Sequence, residues 1–177
     1  DEADHVLESL RETFQIGQAL NVPVVISHHK VSGQRNFGRT LTTLPVIQEA
    51  MKHQCVSMDC YPYAVGSTMI RTDPAMLDGR VKIVSSDPHP EMAGRDLDDI
   101  AEQWSVAKAE AAKRLQPGSA VYFLLDEADV QRVLQFDQAM IGSDGIPSRN
   151  APHPRLWGTF PRVLSHYCRD VGLFPLE

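Results

Sequence analysis

Apolar residues recur at helical spacing near the start of the chain, where Val6, Leu7, Leu10, Phe14 and Ile16 precede Gly17 and Asn21. The pattern predicts an amphipathic helix from near Asp4 to about Leu20. The next run, Val22-Pro-Val-Val-Ile-Ser27, is β-branched and ends in His28-His29-Lys30. It reads as a strand buried on both faces, as in parallel sheets. Val31 to Thr40, with Gly33, Asn36 and Gly38, reads as loop. Leu44, Val46, Ile47 and Met51 then mark a helix capped by Thr42 or Thr43, with Pro45 in its first turn. Cys55 to Asp59 is a second short strand. Helix, strand, helix, strand at this spacing means parallel βαβ units.

From Tyr61 to about Asp137 the rhythm breaks, over a stretch too long for a simple connector. Within it, Arg80 to Ser86 reads as a strand, Asp96 to Ala101 and Ser105 to Leu115 as helices, and Ala120 to Leu125 as an apolar run of open type. Asp126 caps a helix through Phe136. An insertion carrying its own elements reads as a lid or substrate-binding segment. Met140-Ile-Gly-Ser-Asp144-Gly145 restores the earlier pattern, a short strand ending in an acid. Ile146 to Trp157 reads as loop, and Phe160 to Val171 as a final helix with Pro161 in its first turn and Gly172 at its end.

Three strands thus end in His28, Asp59 and Asp144. In a curled parallel sheet those ends share one rim, where α/β enzymes place their chemistry. A neutral imidazole is a natural divalent-metal ligand, and a strand-end aspartate can bind metal, act as general base, or cap a turn. The formal net charge of −6 and the lack of a basic stretch exclude nucleic acid and anionic membrane as expected partners. No run approaches a membrane span. Three unpatterned cysteines suit a reducing cytoplasm. The chain opens at Asp1 without Met, so it reads as a piece of something longer.

Long ordered motifs sharpen this reading. Ser27-His-His-Lys-Val-Ser-Gly-Gln-Arg-Asn-Phe-Gly-Arg39 resembles the signature of the D-aminoacylases, the N-acyl-D-amino-acid deacylases of the amidohydrolase superfamily. Asp59-Cys-Tyr-Pro-Tyr-Ala-Val-Gly-Ser-Thr68, Pro88-His-Pro-Glu91, Asp126-Glu-Ala-Asp-Val-Gln-Arg132, Gly142-Ser-Asp-Gly145 and His153-Pro-Arg-Leu-Trp-Gly-Thr-Phe-Pro-Arg162 match the same family. The resemblance runs from Asp1 to Glu177. It implies an α/β fold, a partial (β/α)8 barrel of about the last three to four βα units, with residues 61–137 inserted as a lid. It implies zinc-dependent hydrolysis of the acyl amide of an N-acyl-D-amino acid.

By the same resemblance His28 and Asp144 are metal ligands, and Asp144 is also the general base and acid. Lys30, Tyr61, Ser67 and Arg80 hold the substrate, chiefly its carboxylate. Met76, Tyr122 and Leu125 form the apolar pocket for its side chain. His29 is expected to orient His28; His53, His89 and Cys60 are given no catalytic part, and His153 reads as loop structure. The family's upstream His-x-His pair, its cysteine ligand and a further histidine fall outside this chain. The isolated chain is therefore expected to be inactive, with an open sheet edge suited to self-association. Two other readings remain, a non-catalytic oligomerising fragment and an amidohydrolase acting on N-acyl-D-glutamate or a cyclic amide.

Overall fold

The structure is a computed structural model, and it describes residues 1–147 and 152–176. Residues 148–151 of the expected Ile146–Trp157 loop lie outside the described residues.

Helix α1 (Val6–Leu20) buries Val6, Leu10, Phe14 and Gly17, one residue per turn. It ends where Asn21 turns left-handed, at φ 51°, with the Asn21 N–H returning to Gln18 O and the Val22 N–H to Gly17 O. Gly17 lets the helix lie against the first strand, because a Cβ there would come within 2.4 Å of Val24 Cγ2. Strands β1 (Val24–Ile26), β2 (Val56–Cys60) and a later strand, Ala139–Ile141, form a parallel sheet with β2 in the middle. Val24 is in register with Val56, and Asp59 with Met140. Helix α2 (Thr40–Met51) joins β1 to β2. Val24, Met58 and Cys60 join Leu44, Ile47 and Tyr167 in one core.

Expectation and structure part at β1. The strand is not buried on both faces: Val24 is buried, whereas Val25 is 60% exposed and Met140, on the same face, 49%. Parallel strands hide both faces only when something covers each. Asp59 lies on that open face, by its register with Met140.

The segment after β2 builds a second sheet. Strand β3 (Gly66–Met69), which the residue pattern did not suggest, pairs antiparallel with β5 (Gly118–Tyr122), and β5 pairs with β4 (Val81–Ser86). Short helices α3 (Pro74–Leu77), α4 (Leu97–Gln103) and α5 (Lys108–Arg114) accompany it. Its core holds Val81, Ile83, Leu97, Ile100, Leu115 and Tyr122. Gly118 allows β5 and β4 to meet across the bulge between Ile83 and Ser85, because a Cβ would sit 2.2 Å from Ser85 O. Gly118→Ala should therefore lower unfolding stability by about 1–3 kcal/mol, read from the urea midpoint.

The expected 61–137 insert divides. Helix α6 (Glu127–Leu134) packs Val130, Val133 and Leu134 into the core of the parallel sheet and leads into β6 (Ala139–Ile141). Asp126 caps α6 as expected, accepting from the Ala128 N–H at 3.3 Å. Helix α2 begins at Thr40, two or three residues before the expected cap, and Pro45 lies inside it. The final helix, α7 (Arg155–Arg162), likewise starts five residues early, contains Pro161, and continues as a π-helical stretch, Val163–Asp170, that closes near Gly172 at φ 66°.

Candidate active site at the carboxyl ends of the parallel strands

The chain leaves β1 at Ser27 and turns at once. His28 has φ 48°, a left-handed conformation rare for residues other than glycine. Asp144, which follows β6, has φ 46°. Both line one cavity of about 310 Å³ between the ends of the parallel strands and the antiparallel sheet. Lys30, Tyr61, Ser67, Met76, Tyr122 and Leu125 line it as well.

Arg80 does not. Its side chain is 55% exposed, bound to Asp96 at 3.1 Å and stacked on Phe123. The guanidinium in the cavity belongs to Arg155, which the residue pattern left in a loop. Arg155 is 1% exposed. One of its terminal nitrogens lies 2.9 Å from Asp144 Oδ2, and the other donates to Ser67 O at 3.0 Å. The guanidinium carbon stands 4.7 Å from the centre of the Tyr61 ring. Tyr61 Oη and Arg155 Nε are both buried without a hydrogen-bond partner among the described residues. Buried donors are normally satisfied, so an unpaired pair beside a cavity points to a ligand that accepts from them. Burial pushes the Tyr61 phenol up, which keeps it a protonated donor.

Glu2 is a second residue the sequence reading missed. Its Oε1 lies 2.9 Å from His28 Nδ1 and 2.7 Å from Lys30 Nζ. Burial raises its pKa, but the hydrogen bonds and charges of His28 and Lys30 outweigh this and hold it at about 2. The bond from Glu2 raises the pKa of His28, while burial lowers that of Lys30. Glu2 and Lys30, whose Nζ lies 2.7 Å from Nδ1, both crowd that ring nitrogen, so Nε2 is the one left available to a metal. No local spacing links residue 2 to residue 28, so no sequence pattern could pair them.

The remaining histidines take other parts. His29 is buried and bonds Thr43 Oγ1 at 2.9 Å, so it anchors α2 rather than orienting His28. Burial pushes it down to about 4. His53 pairs with Glu49 on the surface, and His89 with Glu91. Cys60 faces the core, where burial raises its thiol to about 12. His153 is buried, accepts the Arg155 N–H through Nδ1 at 3.0 Å, and packs edge-on against Tyr63.

Burial lowers the His153 pKa from 6.5 to about 4. A depressed folded-state pKa means that the unfolded chain takes up the proton first. This contribution is complete above pH 6.5 and is lost as pH falls toward 4. It amounts to at most about 3 kcal/mol. Urea midpoints measured at intervals between pH 7 and 4 should fall, and His153→Gln should flatten that slope.

Among the described residues no group of three or more His, Cys, Asp or Glu side chains could hold a metal ion. His28 and Asp144 fit one in donor type, an imidazole and a carboxylate, and supply part of the three or four protein ligands a zinc site needs.

No family model matches the chain. Individual relatives match all of it. It is 58% identical over 177 residues to a D-aminoacylase of Alcaligenes xylosoxydans xylosoxydans, 37% of whose length it covers, and 44% identical to an N-acyl-D-aspartate deacylase of the same organism, 36% of whose length it covers. Among solved structures, D-aminoacylase superposes with a TM-score of 0.97 at 56% identity, over 99% of this chain and 37% of that one. The N-acyl-D-glutamate deacylase of Bordetella bronchiseptica, solved with zinc and a phosphonate mimic of the tetrahedral intermediate, gives 0.95 at 42% identity, with the same coverage. The chain thus spans a little over a third of the length of these relatives, and over that span it is similar in sequence and backbone to D-aminoacylase and to the N-acyl-D-aspartate and N-acyl-D-glutamate deacylases.

Proposed function

We propose that the protein to which this chain belongs hydrolyses the acyl amide of N-acyl-D-amino acids with the help of zinc, on a (β/α)8 barrel of which these are the last three to four units. The observation that carries this reading is one cavity holding His28, Asp144, Lys30, Arg155 and Tyr61. Deacylases as relatives support it. The antiparallel sheet, as the inserted segment, closes the cavity from the other side.

His28 and Asp144 would be two of the metal's ligands. When bound, the metal supplies Lewis-acid polarisation of the acyl carbonyl. Asp144 is held by Arg155 through Oδ2. It takes a proton from the attacking water and returns it to the leaving amine nitrogen. Arg155 Nε and Tyr61 Oη, unpaired and buried, would donate to the substrate carboxylate with Lys30 beside them. Ser67 lines the same wall. Arg80 is placed for no such contact, so the role expected of it passes to Arg155. Met76, Tyr122 and Leu125 give the substrate side chain apolar surface, with the Tyr122 hydroxyl occupied in donating to Met69 O at 3.1 Å.

We take the cytoplasm as the compartment, because Cys55, Cys60 and Cys168 are free thiols. Among the described residues no helix is long and apolar enough to cross a membrane. The cationic groups favour a carboxylate-bearing substrate over a neutral cyclic amide. The open edges of the parallel sheet, β1 and β6, are where the chain would self-associate.

The test measures free D-amino acid released from matched N-acetyl-D- and N-acetyl-L-amino acids with added zinc. The isolated 177-residue chain should release none. A longer protein containing it should act on the D series only, and His28→Ala and Asp144→Asn should each abolish turnover. Hydrolysis of cyclic amides alone, or turnover surviving both substitutions, would overturn the reading.

A further inference from the structure

Asp59 is the next-to-last residue of the central strand of the parallel sheet, and its acid side chain is not spent on the cavity, which it does not line. Its Oδ1 accepts the backbone N–H of His28 at 2.7 Å, and its Oδ2 accepts from Ser27 Oγ at 3.1 Å. Its own carbonyl accepts the His29 N–H at 2.8 Å. One residue therefore grips three consecutive positions of the turn that carries His28. On the other side it abuts the strand leading to Asp144. Gly142 donates its N–H to Cys60 O at 2.9 Å, and a Cβ on Gly142 would lie 2.9 Å from Asp59 Oδ1.

His28 and Asp144 both hold left-handed backbone angles, which are strained for residues with a side chain and persist only where the surroundings enforce them. The Asp59 carboxylate is such an enforcement. It is hydrogen-bonded to the His28 amide and packed against Gly142, two residues before Asp144. We infer that Asp59 is a positioning residue that holds His28 and Asp144 in register across the sheet, acting through backbone contacts and neither as a ligand nor as a base. This rests on the proposed reading of His28 and Asp144 as metal ligands.

The geometry needs an acceptor oxygen at Asp59, not a negative charge. Asparagine keeps an oxygen for the His28 amide and turns its amino group toward the Ser27 hydroxyl, which can accept. Two measurements test this. In the isolated chain, hydrogen exchange of the His28 amide is followed against core amides such as that of Met58. In the longer protein, zinc affinity is titrated directly.

Asp59→Ala should speed His28 exchange by at least about tenfold relative to the core and weaken zinc about 10–100-fold. Asp59→Asn should stay within about twofold of the unaltered protein in both measurements. Gly142→Ala, which pushes on Oδ1 and leaves the carboxylate in place, should weaken zinc as well. Unchanged His28 exchange in Asp59→Ala would overturn the inference. So would an Asp59→Asn variant that loses zinc as fully as Asp59→Ala, since charge and not geometry would then be at work. If His28→Ala leaves zinc affinity untouched, the reading of the metal site fails, while the exchange result still decides whether Asp59 holds the turn. Should Asp59→Ala fail to fold, Asp59→Asn and Gly142→Ala carry the decision.

Discussion

Replacing Arg155 with methionine should remove affinity for carboxylate-bearing ligands and weaken the fold at the same time. The guanidinium is 1% exposed, and its partner Asp144 has a side chain only 30% exposed. Removing one member of a buried pair leaves the other charge without compensation and costs about 3–5 kcal/mol. The partial exposure of Asp144 puts the expected loss at the lower end, about 3 kcal/mol in urea unfolding. One donor contact to a ligand carboxylate, that of Nε, vanishes with it, a charge-assisted bond of about 1.5–3 kcal/mol. N-acetyl-D-leucine affinity in the longer protein should therefore fall about 10–100-fold by calorimetry. Arg155→Lys restores the charge without the planar fork and should recover stability better than affinity. An affinity unchanged in Arg155→Met would show that the carboxylate sits elsewhere, with Arg80 the next residue to test.

The second large effect is structural. Asp129→Ala should destabilise the chain by about 3 kcal/mol or more, the cost of stripping several buried groups of their acceptor. Asp129 is 3% exposed. Its Oδ2 accepts the Gly38 N–H at 2.7 Å; its Oδ1 accepts the Thr40 N–H at 3.3 Å and an Arg132 N–H at 2.6 Å, and it also meets the Thr40 hydroxyl. A carboxylate on α6 thus caps α2 from 89 residues away. Losing it frees donors at the N-terminus of α2, where the helix dipole favours a negative group. Thermal and urea unfolding should both report the loss. Amides in the first turn of α2 should exchange faster than those of α1. Asp129→Asn, which keeps an acceptor, should cost less.

That cap explains why the start of α2 was misplaced from sequence. Thr42 and Thr43 are ordinary local caps, and nothing near them reveals a partner on another helix. Thr43 is instead buried against His29. The strands of the parallel sheet were legible because apolar runs ending in polar residues reflect a local period and a local stop; His28 and Asp144 follow their strands, while Asp59 lies one residue inside the end of β2. Strand β3 was not legible. Gly66-Ser-Thr-Met69 has little apolar signal of its own and becomes a strand by pairing with β5.

The sequence by itself determined which residue types lie at the strand ends, the amphipathic faces of α1 and α6, and the resemblance to the D-aminoacylases, because these depend on neighbours a few positions apart and on long ordered motifs. Tertiary structure decided what each polar group touches. It set Arg155 and not Arg80 in the cavity, brought Glu2 to His28, turned Asp59 onto backbone, and used Asp129 as a distant cap. Each of those contacts joins residues far apart in the chain, with partners chosen by how the two sheets and their helices pack. Burial then fixes their energies, since a charge or donor removed from water must find its complement wherever packing has placed it.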